Sequence, residues 1–254
     1  MVLIWIGLFI LLPGPLLGAD LSFLSPDEQG WLKERGRAIR LGPEANYPPL
    51  SYLDADGVWR GLSADMAHLV ADRLGVRFQL LESANLATLL DAAKAGKVEI
   101  LTSIKPTPER SRYLTFTPPY VNIPTAILSR HGDFPGATLE ELHGKRVAVG
   151  NGYGVHEYLR TQHPEIHLDP VEDDLHGLQK LAFGGVDAVI MDMASATWFL
   201  EQEKITNLRV VGRTDYEYAL SFGIRNGVPE LATILAKSLA AIPPPRDPAG
   251  HGSL

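Results

Sequence analysis

The sequence lacks cysteine altogether, which excludes disulfide bonds, thiolate metal sites and cysteine nucleophiles. It also lacks any cluster of lysine and arginine, and the 254-residue chain carries a net charge of −7. Nucleic-acid-binding surfaces need basic stripes, so this charge pattern argues against a nucleic-acid partner. The remaining composition, 45% hydrophobic and 21% charged, is that of a globular protein with room for two modest domains or one large domain.

Motifs that carry catalytic or metal chemistry are missing as well. The eight histidines form neither H-E-x-x-H nor another spacing suited to a metal. The chain has no G-x-S-x-G elbow and no P-loop. We therefore predict no metal, no cofactor and no enzymatic activity.

The first nineteen residues carry no charge and are mostly apolar. We interpret residues 1–19 as a secretory signal peptide that ends near Gly18 and Ala19. The alternative is an uncleaved membrane anchor, but Pro13 and Pro15 limit the unbroken apolar run to about twelve residues, fewer than the roughly 20 that a spanning helix needs. In either case, the rest of the chain is expected in the periplasm or outside the cell.

Helical and strand patterns alternate along the chain from residue 25 onwards. Ser63 is predicted to cap a helix that Gly75 ends, and Asp56-Gly57 is predicted to form the turn of a hairpin. Such alternation predicts an α/β fold in which helices cover a parallel sheet. Ligands of such sheets bind beyond the carboxyl ends of the strands.

A second α/β unit of about eighty residues follows a polar break near residues 131–137. We predict that the chain crosses between the two units twice, near residues 124–130 and near 215–219. The predicted division is a lobe 1 of residues 20–127 and 217–243, a lobe 2 of residues 128–216, and a disordered tail of residues 244–254.

The segment TSIKPTPERSRYLTFTPPY, residues 102–120, directly follows a buried strand pattern. Pro106 and Pro108 interrupt both helix and sheet hydrogen bonding, so the segment is expected to hold an irregular shape. The planar, permanently charged guanidinium of Arg110 suits a carboxylate. A surface loop with an ordinary salt bridge is the alternative, but the position beyond a strand end favours ligand binding.

Four stretches together resemble the family 3 solute-binding proteins, the two-lobed Venus-flytrap receptors of amino-acid ABC uptake systems. With their spacing they cover about residues 36–240: YPPLSYLDADGVWRGLSADMAHLVADRLGV, TSIKPTPERSRYLTFTPPY, LHGKRVAVGNGYG and GGVDAVIMDMASA. The opening LSPDEQGWLKERGRAIRLG is more similar to the periplasmic sensor modules of hybrid histidine kinases and diguanylate cyclases. The resemblance implies a type II periplasmic-binding-protein fold, in which each lobe is a parallel-sheet α/β unit and two hinge crossings join the lobes.

The resemblance also implies roles for individual residues. Arg110 would hold the α-carboxylate of an amino acid, together with backbone N–H groups of GNGYG, residues 150–154, at the start of a helix. Asp192, at the end of the strand VIMD, would take the ammonium of the ligand from the other lobe. Its alternative role is the N-cap of the following helix.

Lys105 departs from the family pattern, in which a small hydroxyl residue is usual at this position. It would favour a ligand with an additional anionic group, unless it pairs with Glu109 or Glu82. Tyr47 and Tyr52 would supply an aromatic wall, unless they are ordinary core residues. The predicted ligand-binding set is Arg110, Asp192, Tyr47, Tyr52, Ser103, Lys105, Gly152, Tyr153 and Gly154.

These implications predict a periplasmic receptor that closes on a small zwitterionic or anionic ligand, preferably an amino acid, for delivery to an inner-membrane permease. One alternative is the sensory module of a two-component or cyclic-di-GMP receptor, with a sensor kinase as its partner. Truncation of such a receptor would fit the tail IPPPRDPAGHGSL, because relatives continue into another helix there. A lesser alternative is a dehydratase-like enzyme that uses Glu44 and Glu82, although these do not form an evident acid/base pair.

Overall fold

A computed structural model of the chain describes residues 19–35, 39–82, 85–134 and 136–242. The predicted signal peptide, apart from Ala19, and the predicted tail lie outside the described residues. The helices are α1 (Pro26–Arg35), α2 (Leu62–Leu74), α3 (Leu86–Lys94), α4 (Gly154–Gln162), α5 (Asp174–Ala182), α6 (Met193–Gln202) and α7 (Pro229–Ala240). The strands are β1 (Arg40–Gly42), β2 (Asn46–Tyr47), β3 (Ser51–Leu53), β4 (Trp59–Arg60), β5 (Gln79–Leu80), β6 (Ile100–Ile104), β7 (Leu114–Phe116), β8 (Val121–Arg130), β9 (Arg146–Gly150), β10 (His167–Val171), β11 (Ala188–Asp192), β12 (Leu208–Gly212) and β13 (Glu217–Arg225).

One ten-stranded mixed sheet contains most of the strands, while β2, β3 and β4 form a small antiparallel sheet. Strands β1, β5 and β6 pair in parallel at one end of the large sheet, and β9, β10 and β11 pair in parallel at the other. We call the elements from α1 to β7, together with α7, the first half of the fold, and the elements from β9 to β12 the second half. The predicted α/β architecture is confirmed, and the sheet is mixed because the strands that join the halves run antiparallel to their neighbours.

The two halves are joined by β8 and β13, the longest strands in the described chain. The beginning of β8 pairs with the beginning of β13, from Val121 opposite Leu220 to Pro124 opposite Glu217. The remainder of β8 pairs with β11 and β12, and the remainder of β13 pairs with β6 and β7. The chain therefore passes between the halves along two strands that are hydrogen-bonded to each other.

Apolar packing continues from one half of the fold to the other. Helices α1, α2 and α7 cover β1 and β13 in the first half, and α5 and α6 cover β9 and β11 in the second. A further cluster includes Leu89 and Leu101 from the first half and Val147 and Leu159 from the second. Because this cluster is continuous, the two halves are in direct contact in this structure.

The start of α2 differs from the prediction made from the sequence, which concerned the residue that caps this helix. The helix begins at Leu62 with Gly61 as its N-cap, so the prediction that Ser63 caps it was wrong. Gly61 has a φ of 102°, and a Cβ there would lie 2.5 Å from the carbonyl oxygen of Pro49, which only glycine tolerates. The hydroxyl of Ser63 is instead buried, 2.6 Å from Oγ of Ser103 and 2.8 Å from the hydroxyl of Tyr120.

Candidate ligand-binding site

The guanidinium of Arg110 lies between the two halves of the fold. Arg110 begins a short 3-10 turn after β6, and only 4% of the residue is exposed. Its Nη1 donates to the carbonyl oxygen of Lys105 at 2.7 Å, and its Nη2 donates across the interface to the carbonyl oxygen of Gly152, also at 2.7 Å. Burial lowers the pKa of Arg110, because it removes the charged group from water. The side chain thus points inward, as predicted.

The segment GNGYG connects β9 to α4 directly beside Arg110. Gly152 adopts a positive φ of 77°, and Tyr153 is the N-cap of α4, which begins at Gly154. The predicted helix start after this segment is therefore present, and the amide hydrogens of a first helical turn have no partner within the helix. Gly154 packs so closely that a Cβ there would lie 2.5 Å from the hydroxyl oxygen of Tyr216.

Tyr153 reaches from the second half into the first and contacts Glu44. Its hydroxyl donates to Oε1 of Glu44 at 3.0 Å. Glu44 follows β1 and is 1% exposed, and this burial raises its pKa to about 7, against the opposing effects of the Tyr153 hydrogen bond and the positive charge of Arg110. The ring of Tyr47 lies 5.8 Å from the ring of Tyr153. Sequence reasoning connected Glu44 only with a dehydratase, although its place beyond the end of β1 is a signal for ligand contact.

Two aspartates of the second half lie near Glu44. Asp192 is the N-cap of α6, and its Oδ1 accepts a hydrogen bond from the Ser195 amide at 2.9 Å, so the alternative capping role is realised. Asp174 lies in the first turn of α5. Both are buried, and Oδ2 of each has no hydrogen-bond partner among the described residues. Burial raises the pKa of both carboxyl groups, and sequence reasoning missed Asp174 because nothing in its local pattern indicates where α5 packs.

A cavity of about 20 Å³ remains between Glu44, Arg110 and Tyr153, and neither Asp174 nor Asp192 lines it. This volume suits a water molecule rather than an amino acid, so this cavity could admit a ligand only if the two halves moved apart. Arg110, Gly152 and Tyr153 also line a separate cavity of about 290 Å³. The smaller cavity is lined by Glu44, Tyr47, Leu86, Ser103, Lys105, Arg110, Tyr153, Gly154, Tyr218 and Leu220. The structure therefore brings together six of the nine residues predicted to bind a ligand, while Gly152 contacts Arg110 through its carbonyl group.

Three predicted site residues have specific surroundings of their own. The ammonium of Lys105 lies 3.8 Å from the centre of the Tyr216 ring and donates to the carbonyl oxygen of Glu217, so it pairs with the crossing strand rather than with Glu109 or Glu82. Tyr52 does not line the cavity, because its ring packs against Trp198 at a centroid distance of 6.0 Å. Ser103 has a φ of 54°, unusual for a residue with a side chain, and its amide donates to the Tyr120 hydroxyl at 2.8 Å.

Two α/β halves are joined by paired crossing strands, and buried charged side chains of the first half contact polar groups of the second at a closed cleft. This arrangement defines the class of two-lobed, periplasmic-binding-protein-like receptors. The chain belongs to the bacterial extracellular solute-binding proteins, family 3, whose sequence profile matches residues 39–244. The resemblance stated from the sequence is thereby confirmed. No helix in the described part of the chain has the length and apolar character needed to cross a membrane.

Relatives of the chain include both binding proteins and sensors. The chain is 26% identical to the putative ABC transporter arginine-binding protein 2 of Escherichia coli K12, over 80% of this chain and 84% of that protein. It is 22% identical to the virulence sensor protein BvgS of Bordetella bronchiseptica, over 86% of this chain but 18% of that protein. The crystal structure of a histidine kinase sensor domain with similarity to periplasmic binding proteins matches with a TM-score of 0.73 and 30% identity, over 82% of this chain and 90% of that one.

Proposed function

We propose that the protein is a periplasmic receptor that binds a small, amino-acid-like solute between two lobes and delivers it to an inner-membrane permease. The proposed lobes are residues 20–127 with 217–243, and residues 128–216, and residues 1–19 are the export signal. The observation that carries the proposal is the buried guanidinium of Arg110, which lies at the contact between the halves and near the buried carboxyl group of Glu44. Similarity to an arginine-binding protein of an ABC transporter supports uptake as the purpose.

The charges around the cavity favour a zwitterion among the ligands that the sequence allows. Arg110 would bind the carboxylate of the ligand, which would replace the carbonyl groups of Lys105 and Gly152 as acceptors. Oδ2 of Asp192 is free to accept from an ammonium while Oδ1 remains the helix cap. Because the buried carboxyl groups of Glu44, Asp174 and Asp192 outnumber the two cations Arg110 and Lys105, a ligand with two negative charges and no positive charge fits poorly.

Binding in the cavity between Glu44, Arg110 and Tyr153 requires an open form, since that cavity holds only about 20 Å³. A ligand that contacts Arg110 in one lobe and Asp192 in the other makes both contacts only when the lobes close on it. It therefore favours the ligand-bound closed form by the difference in contacts between the two forms.

A thermal-shift screen with the common amino acids and with dicarboxylates tests the proposal. At a ligand concentration near 100 times Kd, stabilisation should reach about 2.7 kcal/mol. Arg110→Ala should abolish the shift, measured against the melting temperature of the same variant without ligand. Arg112→Ala is the matched control, because Arg112 is two residues away and exposed. A ligand-dependent shift that survives in Arg110→Ala would contradict the proposed role of Arg110.

A sensor module is the second candidate, and a specific observation favours it. The two halves already contact each other through their own groups, with Tyr153 on Glu44 and Arg110 on Gly152. The similarity to a histidine kinase sensor domain points the same way. A flat ligand screen together with a compact shape of the free protein in solution scattering would favour sensing over uptake.

A further inference from the structure

We infer that the empty protein is held closed by a latch between Tyr153 and Glu44, and that closing draws protons onto the buried acid cluster, which we define as Glu44, Asp174 and Asp192. Acidification alone would then close the cleft. This inference uses the two-lobed cleft of the proposed function but concerns the protein without any ligand.

The latch joins opposite sides of the interface. Glu44 follows β1 in the first half, Tyr153 precedes α4 in the second, and their 3.0 Å hydrogen bond is buried. Tyr153 also lines the cavity, so its ring occupies space at the place where Arg110 would meet a ligand. A second contact across the interface runs from Nδ2 of Asn46 to Oδ2 of Asp173 at 3.0 Å. Separating the halves would break both hydrogen bonds.

The acid cluster has little positive charge to balance it. Glu44 faces Arg110 from the 3-10 turn, Asp192 from the end of β11, and Asp173 and Asp174 from the start of α5. The guanidinium of Arg110 donates to the carbonyl oxygens of Lys105 and Gly152. No salt bridge joins Arg110 to a carboxylate in the part of the chain that the structure describes. The cluster therefore cannot be buried fully ionised without a large cost.

Two neighbouring charges do not relieve this imbalance. The ammonium of Lys105, which also lines the cavity, is held at the carbonyl group of Glu217 and over the Tyr216 ring, and Arg110 is the positive charge that acts on Glu44. The exposed His176 is 2.7 Å from Oδ1 of Asp173, so it serves that aspartate rather than the cluster. Tyr47 and Tyr218 have buried hydroxyl groups without hydrogen-bond partners among the described residues, and as neutral groups they add no positive charge.

Protonation of Glu44 removes part of the cost of closing. Burial in the closed form raises the pKa of Glu44 from 4.5 to about 7, and exposure to water in an open form would return it to its ordinary value. Below pH 4.5 the carboxyl group of Glu44 is protonated in both forms. As the pH rises from 4.5 to about 7, the closed form becomes progressively less favourable relative to the open form. The difference between the pKa of Glu44 in the closed form and in the open form changes the ratio of closed to open protein by about 300-fold. Asp174 and Asp192 act in the same direction.

The distance between the halves can be measured directly, because the chain contains no cysteine of its own. Asp72→Cys in α2 and Gln202→Cys in α6 place one exposed spin label on each half. The protein is unfolded in guanidinium chloride and refolded to remove any bound amino acid. Label distances are then measured without ligand at pH 5.5 and pH 8.5 in the otherwise unchanged protein, in Glu44→Gln, in Tyr153→Phe and in the control Glu82→Gln, which removes an exposed acid.

The inference predicts mainly the short distance at pH 5.5 and a growing population of a longer distance at pH 8.5. Glu44→Gln should show a smaller increase of the long distance at pH 8.5 than the parent, because glutamine can still accept from Tyr153 and carries no charge, while Asp174 and Asp192 still titrate. Tyr153→Phe should show more of the long distance at both pH values, and Glu82→Gln should behave like the parent. Identical distances at both pH values in the parent, or an unchanged pH response in Glu44→Gln, would overturn the inference. Such a result would leave the ligand screen, and hence the proposed receptor function, unaffected.

Discussion

Replacement of Gly154 by alanine tests the contact between the two halves with the smallest available change. An alanine at the first position of α4 has no backbone strain to overcome, since Gly154 does not need a positive φ. By itself the substitution should stabilise the helix by a few tenths to about 1 kcal/mol. The added methyl group, however, would lie 2.5 Å from the hydroxyl oxygen of Tyr216 and 3.6 Å from Cβ of Lys105.

The ring of Tyr216 has little freedom to move away from that methyl group. It packs against Tyr158 at 5.0 Å and Tyr218 at 5.3 Å between ring centres, and the ammonium of Lys105 covers one face. Overpacking of this kind typically costs about 1–3 kcal/mol. After subtraction of the helical gain, we expect the closed form of Gly154→Ala to be less stable by roughly 1–2 kcal/mol.

Two measurements check this expectation. Urea unfolding should show the loss of stability, and small-angle scattering should show a larger radius of gyration if the halves separate to relieve the overlap. Gly30→Ala is the control, because Gly30 is in the exposed part of α1 with no atom near its missing Cβ, and this change should be neutral or stabilising. If Gly154→Ala is as stable and as compact as the parent, the packing of α4 against Tyr216 is refuted.

Three further changes follow from the buried groups. Asp192→Ala should cost about 1 kcal/mol in urea unfolding through loss of the cap on the Ser195 amide, whereas Asp192→Asn should retain most of that stability; equal losses would speak against the cap. Leu159→Ala should cost about 2–5 kcal/mol, since Leu159 is fully buried in α4, and a loss below 1 kcal/mol would mean that α4 is not packed as described. Because the folded protein binds more protons than the unfolded chain while Glu44 has a raised pKa, the free energy of unfolding should fall as the pH rises from 4.5 to about 7. Glu44→Gln should flatten that fall, and an equally steep fall in the variant would place the titrating group elsewhere.

The regular elements could be predicted because their patterns are local. Short apolar runs within VEILTSI and VDAVIMD correspond to the buried strands β6 and β11, and the αL conformation of Gly75 ends α2 as expected. The start of α2 could not be predicted in the same way. Serine is a common N-cap residue, but the hydroxyl of Ser63 is buried against Ser103 and Tyr120, and these partners are distant in sequence.

The site was only partly predictable for a related reason. Arg110 and the start of α4 carry family motifs, so their meeting could be inferred from the resemblance. Glu44, which follows β1, and Asp174, at the start of α5, become neighbours only where the two halves meet, which no short stretch encodes. The direction of the Lys105 side chain depends on the crossing strand β13, which lies more than a hundred residues away in sequence.

The pairing of β8 with β13 has a consequence for the topology of the chain. The chain leaves along one of these strands and returns along its neighbour, about 4.8 Å away in a sheet. The intervening segment is therefore a cassette whose entry and exit are adjacent. Grafting the equivalent cassette from another family member would leave the strand order of the host intact. The resulting chimera would combine Arg110 from one parent with the counterpart of Gly152 from the other.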